Sequence, residues 1–203
     1  MGSRSPLTTD LIMDAALGLI DRAGLPACTM RAVARELDVQ AMSLYWHVRD
    51  KDALLDGVIL HVLREIAEPP ARQHDWPDDI RAFARRFRRV ILAHPNVAPL
   101  IAQRPTSAYV AAKRAAVTAL GNLERAGFDR GEAVDVARAA VRFVFGFAIT
   151  EAGRDPARDE RFAGDGEMGA LARAVAGDDP ERLFEFGLDV LIDGISARLA
   201  PAG

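Results

Sequence analysis

Residues 43–51, SLYWHVRDK, place a serine, a tyrosine, a tryptophan and a histidine within five positions, with Arg49 and Lys51 close behind. The whole chain has only two tryptophans and two tyrosines, so half of each stands in this segment. Tyrosine, tryptophan and histidine combine a flat apolar body with a polar tip. Such side chains suit burial against a core, and they equally suit contact with a sugar, a phosphate or a base edge.

The preceding residues predict two short helices joined by a tight turn. Residues 29–48 read TMRAVARELDVQAMSLYWHV, with Thr29 as a cap and Asp38 at the turn. Helices joined so tightly cross steeply, which requires a small residue at the crossing and apolar residues on both inner faces. Ala34 is the small residue, and the apolar ones are Val33, Leu37, Val39 and Leu44. This is the pattern of a helix-turn-helix motif, whose second helix enters the major groove of DNA and would present Ala41, Met42, Ser43, Tyr45, Trp46 and His47.

Packing alone offers a second interpretation, because any two short amphipathic helices with a tight turn can imitate this pattern. Residues 29–51 carry four basic and three acidic side chains, and a net charge of +1 is a small electrostatic footprint for DNA. Asp38 stands where many such motifs hold glycine, although aspartate tolerates left-handed backbone better than most residues. The competing hypothesis is a helical ligand-binding or enzymatic protein in which the motif serves only packing.

The sequence offers no arrangement typical of an enzyme or a metal site. The four histidines include no pair at metal-ligand spacing, and Cys28 is the only cysteine. Glycine-rich phosphate loops and the G-x-S-x-G and H-E-x-x-H motifs are absent from the sequence. Glu132 and Glu151 could form a carboxylate pair, but their positions on a helix favour two surface residues. We therefore expect no catalytic activity, no metal and no cofactor.

Composition and charge are those of an ordinary globular protein. Of the 203 residues, 50% are hydrophobic and 27% are charged. No apolar run approaches the ~18 residues of a membrane span, and the N-terminal residues lack the apolar stretch of a signal peptide. Because the single cysteine has no partner for an internal disulfide, we expect a cytoplasmic protein. The net charge of -3 argues against coating of nucleic acid but not against contact through a small patch.

Apolar residues recur at helical spacing along most of the chain, and no segment alternates as a strand would, which predicts an all-α fold. The arginines of residues 81–89 are expected to form a solvated face. Residues 107–126 predict a helix, residues 153–166 a loop and residues 171–175 a short helix. The expected helix starts and ends are Thr8 or Thr9, Gly24, Asp50, Pro69, Pro77, Gly127, Asp129 with Glu132 as a capping box, and Asp179.

The motif and several later stretches resemble the tetracycline-repressor (TetR) family of bacterial transcriptional regulators, and within it the tetracycline repressors. The matching stretches lie in order along nearly the whole chain: TMRAVARELDVQ, LYWHVRDKDALLDGV, RPT at 104–106, AGF at 126–128, FGFAITE at 145–151 and FEFGLDVLIDGI near the end. The resemblance implies a three-helix, helix-turn-helix DNA-binding domain at 1–50. It also implies a larger helical domain at 51–203 that binds an effector and dimerises.

The resemblance assigns roles to single residues. Arg31 matches an arginine that reaches a guanine, which is the commonest specific base contact, and Tyr45 matches a tyrosine that packs on bases. Ala41 and Met42 stand where the tetracycline repressors have a glutamine and a proline against the bases, so we expect a different operator sequence. The positions matching residues that hold the phosphate backbone are Ser43, Trp46, His47 and Lys51.

A homodimer that represses transcription from a palindromic double-stranded operator is the assembly that the resemblance implies. Two heads related by a twofold axis would read half-sites about one helical turn apart. The helix from Ala133 to Glu151 and the last helix are expected to pair with their copies in a four-helix interface. In the last helix, the interface residues would be Leu188, Leu191, Ile192 and Ile195.

The small-molecule effector that would release the DNA is expected to bind without metal. The tetracycline repressors have a metal-binding histidine just before the RPT stretch, where this chain has Ile101 or Ala102. Aliphatic carbons cannot ligate a hard cation. The expected lining is mainly apolar and predicts a hydrophobic or aromatic effector, with an anionic or carbonyl group near Arg104. The candidate lining residues are Phe83, Phe87, Ile101, Gln103, Arg104, Val141, Arg142 and Phe145.

Overall fold

The structure, a computed structural model, describes residues 6–64, 66, 75–104, 117–153, 166–167, 169–170 and 179–199. Every regular element in these ranges is helical, which confirms the predicted all-α fold class. The α-helices are α1 (Thr9–Ala23), α2 (Met30–Glu36), α3 (Ala41–Leu44), α4 (Lys51–Arg64), α5 (Trp76–Ala93), α6 (Ala98–Gln103), α7 (117–126), α8 (Arg130–Ala152) and α9 (Pro180–Leu199). Short 3-10 helices lie at Leu25–Ala27 and Pro95–Val97. None of the described helices is long and apolar enough to cross a membrane.

Side chains at the helix starts explain where several helices begin. In each case an oxygen of the capping residue accepts the backbone N–H three residues later, at 2.8 to 3.2 Å. Gly24 ends α1 with a φ of 76°, which glycine adopts without steric penalty. Local sequence therefore sets these helix bounds, and the confirmed caps are Thr8, Thr29, Asp50, and Asp129 with Glu132 in a capping box.

The segments around α7 and after α8 are only partly described. Residues 117–126 are helical and end at Gly127, which has a φ of 111°. The first part of the helix predicted at 107–126 lies outside the described residues. So do the short helix predicted at 171–175 and the loop predicted at 153–166, apart from its two end residues.

The chain forms two compact units. The first comprises Met1–Ala71 with Arg89–Thr118, and the second comprises Arg72–Arg88 with Ala119–Gly203. The division at residue 50 that the resemblance implies stays a prediction. In the first unit α1 packs against α4, and the buried residues of the two helices include Ile12, Ala16, Ile20, Leu54, Val58 and Ile59.

The helix-turn-helix motif lies in the first unit and has the predicted inner face. Val33, Ala34 and Leu44 are buried, and Leu37 and Val39 are half-buried. Helix α3 has only four residues and is shorter than the sequence predicts. After it the N–H groups of residues 45 and 47 bond the carbonyls three residues back, a tighter bond pattern than that of an α-helix. The candidate groove-facing residues therefore lie on one helical turn and the tight turn that follows it.

Asp38, in the turn of the motif, has a φ of 52°, in the left-handed region that favours glycine. Asp38→Val should therefore give a protein less stable than Asp38→Gly by about 1–2 kcal/mol, because a β-branched side chain is strained there. Both variants lack the carboxylate, so the difference between their free energies of unfolding in urea reports the backbone strain of valine less the larger entropy that glycine loses on folding. Equal stability of the two variants would contradict the left-handed conformation.

Aromatic rings pack α8 against α9 in the second unit. Phe143 stacks on Phe184 with ring centroids 6.1 Å apart, and Phe147 meets Phe184 edge-on at 5.2 Å. Gly187 permits this close approach, because a Cβ there would lie only 2.9 Å from the Phe143 ring. The rest of the buried face of α9 consists of Leu188, Ile192 and Ile195.

The assignment of Leu188, Ile192 and Ile195 to a dimer interface is therefore wrong, since their side chains are already buried within one chain. Helical periodicity marks an apolar face but not what covers it. Leu191 is half-buried. The large apolar side chains of α9 that stay exposed are Leu183, Phe186 and Val190.

Three arginines of α5 pair with acidic residues of α9. The predicted solvated face is therefore wrong for Arg81 and Arg88, which are partly buried, whereas Arg85 and Arg89 are exposed. The spacing of the pairs follows successive turns of the two helices, which run in opposite directions along this contact. Arginine–carboxylate pairs of this kind fix one helix against the other as well as balance charge. The pairs are Arg81 with Asp189, Arg85 with Glu185, and Arg88 with Glu181.

Arg88 also reaches a largely buried carboxylate. Its Nε and Nη2 each donate to Glu151 at 2.7 Å, and its guanidinium lies 5.0 Å from the ring centroid of Phe184. The Arg88 and Glu151 side chains are only 12% and 14% exposed. The expectation that Glu151 is a surface residue is therefore wrong. The hydrogen bonds to Glu151 raise the pKa of Arg88 further above its usual value, so the guanidinium stays ionised.

Candidate functional site

The candidate DNA-contacting residues lie on α2, on α3 with the turn after it, and at the start of α4. Leu44 is fully buried and holds α3 against the core. Trp46, in contrast, is 88% exposed, and Met42 and Tyr45 are also exposed to solvent. Large apolar and aromatic side chains in this position contribute little to the packing of the described chain. Of the other candidates, Ala41 and Ser43 are half-buried, and the exposed ones are Arg31, His47 and Lys51.

Charged side chains of the motif divide into paired and available ones. Arg49 donates to Asp50 at 2.7 Å, and Arg22 donates to Glu36 at 2.8 Å. The backbone N–H of Ala53 and the guanidinium of Arg49 lower the pKa of Asp50, which keeps its carboxylate ionised. Arg31, Arg35 and Lys51 form no ion pair within the described part of the chain. Their charges are therefore available to contact phosphates or bases.

Three of the candidate effector residues come together in the second unit. The ring centroid of Phe87 lies 5.8 Å from that of Phe83 and 5.9 Å from that of Phe145. Phe87 is buried, and the other two rings are half-buried. Val141 and Arg142 are exposed on α8, where Arg142 donates to a backbone carbonyl one turn earlier at 3.3 Å. The structure thus groups the phenylalanines into one aromatic cluster and leaves Val141 and Arg142 at the surface.

The remaining effector candidates belong to the first unit, at the end of α6. Ile101 is buried and Gln103 is exposed. Arg104 donates to Asp56 at 2.9 Å and also to Asp52, both on α4. The hydrogen bonds to Asp52 and Asp56 raise the pKa of Arg104. An anionic group of an effector at Arg104 would therefore compete with the carboxylates of Asp52 and Asp56, and this pairing was not predicted from the sequence.

A row of acidic residues on α1, not among the candidate residues predicted from the sequence, joins this helix to its neighbours in the first unit. Residues 10, 14 and 21 share one face of α1 because their spacing is helical. This spacing is the sequence feature from which an acidic face on α1 could have been predicted. Their partners are basic residues on α4 and in the segment after α5. The pairs are Asp10 with Arg64 at 3.2 Å, Asp14 with His61 at 2.8 Å, and Asp21 with His94 at 2.8 Å.

Two family models match the chain in succession. The model described as "Bacterial regulatory proteins, tetR family" matches residues 12–58, which include the helix-turn-helix motif. The model described as "Tetracyclin repressor-like, C-terminal domain" matches residues 68–199. The chain belongs to the TetR family. It is accordingly a TetR-family transcriptional regulator, and the resemblance predicted from its motifs is confirmed.

Individual TetR-family relatives match over almost the whole chain. An HTH-type transcriptional regulator of Saccharopolyspora erythraea is 35% identical over 94% of this chain and 85% of the relative. The class A tetracycline repressor from transposon 1721 of Escherichia coli is 33% identical over 95% of this chain and 92% of the relative. Apo ActR from Streptomyces coelicolor is 29% identical, with a TM-score of 0.80, over 99% of this chain and 100% of ActR. ActR has also been solved in complex with actinorhodin, and that structure matches with a TM-score of 0.77.

Membership of the TetR family removes the competing hypothesis that the motif serves only packing. Such a motif would bury its large side chains, whereas Trp46 and Met42 of this TetR-family chain are exposed. The exposed residues of α3 and the following turn are therefore the candidate DNA-binding surface.

Proposed function

We propose that the protein is a homodimeric repressor that binds a palindromic operator and leaves it when a small, mainly hydrophobic or aromatic effector binds. The observation that carries the DNA part is the exposure of Trp46 beside Met42 and Tyr45 in the helix-turn-helix motif. The major groove offers thymine methyl groups to Ala41 and Met42, and the adjoining backbone offers phosphates to Ser43, Trp46, His47 and Lys51. No catalytic step is part of this proposal.

A second copy of the chain is the proposed partner of the outer face of α9. Phe186 and Val190 project from α9 on the side opposite its buried residues. A Cβ at Gly194 would meet no atom within 4 Å, and the same holds for Gly146 on α8. Exposed apolar side chains beside open glycines support close pairing of helices between two copies. A dimer would supply the two heads that a palindrome requires.

The aromatic cluster of Phe83, Phe87 and Phe145 supports the effector part of the proposal. Flat aromatic or otherwise apolar ligands gain most from contact with such rings. Streptomyces coelicolor ActR, a structural relative, has been solved with actinorhodin bound, which supports a small-molecule effector for this chain as well.

Arg104 joins the end of α6 to α4 through Asp52 and Asp56. An effector that contacts Gln103 or Arg104 would disturb these hydrogen bonds and shift α4. Because α4 begins at Lys51, a proposed phosphate contact, such a shift would change DNA binding.

Substitution of a residue that contacts bases should affect DNA binding differently from substitution of a residue that contacts phosphates. Arg31→Ala should change which sequences bind, with a loss of about 1–3 kcal/mol in discrimination at one base pair of each half-site. Lys51→Ala should weaken all sequences about equally and reduce the slope of log affinity against log salt by about 1 per head. Fluorescence anisotropy with a set of single-base variants of a selected duplex, at several salt concentrations, measures both quantities.

Arg49→Ala is the matched control for Lys51→Ala. Arg49 is close in sequence and exposed, but its charge already pairs with Asp50, so we expect a smaller change in the salt slope. If Lys51→Ala altered the base preference, the assignment of Lys51 to the phosphates would be wrong. Sequence-independent binding by the unaltered protein would overturn the proposed function itself.

A further inference from the structure

Gln40 occupies the N-cap position of α3 without acting as a cap. Its backbone carbonyl accepts the N–H of Ser43 at 2.9 Å, as an N-cap carbonyl does, but its side chain makes no capping hydrogen bond. Serine, threonine, aspartate and asparagine are the residues that stabilise a helix from this position. Three neighbouring helices use them, since α1, α2 and α4 are capped by Thr8, Thr29 and Asp50. Helix stability therefore does not account for the glutamine in front of α3.

The carboxamide of Gln40 is also available to a partner. Gln40 is exposed, and within the described part of the chain no hydrogen bond uses its side chain. The two residues that follow it, Ala41 and Met42, have no hydrogen-bonding atoms in their side chains apart from the weakly accepting sulfur of methionine. Ser43 is half-buried, so among Gln40 and the residues of α3 the glutamine is the exposed side chain that offers a strong donor and a strong acceptor together.

A carboxamide matches one base edge in the major groove. Glutamine can bond adenine at two points, accepting from N6 and donating to N7, and no other base presents this pair of groups in that groove. The residues at the N-terminal end of a recognition helix are the ones that contact base edges. The thymine of the same base pair carries a methyl group, to which the exposed Met42 offers an apolar contact.

We propose that Gln40 selects adenine at one position of each operator half-site. This inference rests on the proposed function, because it requires that α3 enters the major groove. It adds a sequence-determining residue to Arg31 and Tyr45. Gln40 carries no charge, so its contact would contribute to base preference and not to the salt dependence of binding.

The experiment is selection of bound duplexes from a random library by the full chain, with sequencing before and after selection. The unaltered protein should prefer adenine at one half-site position, with a discrimination of about 5- to 160-fold against other bases. Gln40→Ser should lose that preference and keep the others, because serine can cap α3 but cannot bond adenine at two points. Gln40→Glu should shift the preference at this position toward cytosine, whose N4 donates to a carboxylate.

Circular dichroism would confirm that both variants are folded, and anisotropy at two salt concentrations would confirm an unchanged salt slope. A base preference that stays the same in Gln40→Ser and Gln40→Glu would overturn the role of Gln40 while leaving the proposed function intact. If the unaltered protein enriched no particular sequence from the library, the proposed function would be overturned, and the role of Gln40 with it.

Discussion

Phe186→Asp should yield a folded monomer that binds its operator at least about 1,000-fold more weakly than the unaltered protein. Phe186 is 64% exposed on the outer face of α9, so the substitution leaves the buried core of the chain unchanged. In the proposed dimer the same position lies between two copies, where two unpaired carboxylates would be desolvated next to each other. A monomer has one head, and specific affinity of protein dimers for DNA exceeds their non-specific affinity by about 1,000-fold or more.

Sedimentation equilibrium at micromolar protein and anisotropy with a selected duplex are the two measurements for this variant. Val117→Asp is the matched control, since Val117 is also 64% exposed but lies on α7. We expect Val117→Asp to remain dimeric and to bind DNA as the unaltered protein does. Dimeric Phe186→Asp protein with full affinity would show that α9 does not form the interface.

Arg88→Met should lower the free energy of unfolding by about 2–4 kcal/mol, because it leaves the largely buried carboxylate of Glu151 without a counter-charge. The substitution also removes the contact of the guanidinium with the Phe184 ring. Denaturation by urea, followed by circular dichroism, measures the loss. Replacing both charges, as Arg88→Met with Glu151→Leu, should restore most of the stability, since no unpaired charge then remains in the buried region.

Arg85→Met, one turn earlier on α5, is the control for Arg88→Met. Arg85 donates to both carboxylate oxygens of Glu185 at 2.7 Å, but its side chain is 53% exposed. Solvent screens an exposed pair, so we expect a loss of less than about 1 kcal/mol. Equal losses for Arg85→Met and Arg88→Met would contradict the view that burial, and not bond geometry, makes the Arg88 pair important.

Local features of the fold could be predicted from the sequence because their causes lie within a few residues. Thr8, Thr29, Asp50 and Asp129 cap the helices that begin at the next residue by accepting the backbone N–H three residues ahead, and such caps need no knowledge of the rest of the chain. The positive φ of Asp38 follows in the same way from the tight turn between α2 and α3. The inner face of the motif was predictable as well, since helical spacing fixes which side chains share a face.

Long-range features could not be predicted because their causes lie in distant segments. Arg88 and Glu151 are 63 residues apart, and neither position differs in the sequence from an ordinary surface charge. Arg104 likewise has partners on α4 that its own neighbours do not indicate. For α9, the sequence marks an apolar face but cannot tell whether the chain's own core or a second copy covers it. The structure places Leu188 in the core and leaves Phe186 outside.

The most direct test of the central claim is a gel shift with the full chain and the DNA upstream of its own gene. The experiment uses physiological salt, an excess of random competitor DNA, and a shuffled duplex of the same composition as control. We predict one retarded complex at nanomolar protein, with two chains per duplex, and no comparable complex with the shuffled duplex. Equal affinity for the upstream and shuffled duplexes would contradict the proposal that this TetR-family protein recognises a specific operator in that upstream DNA.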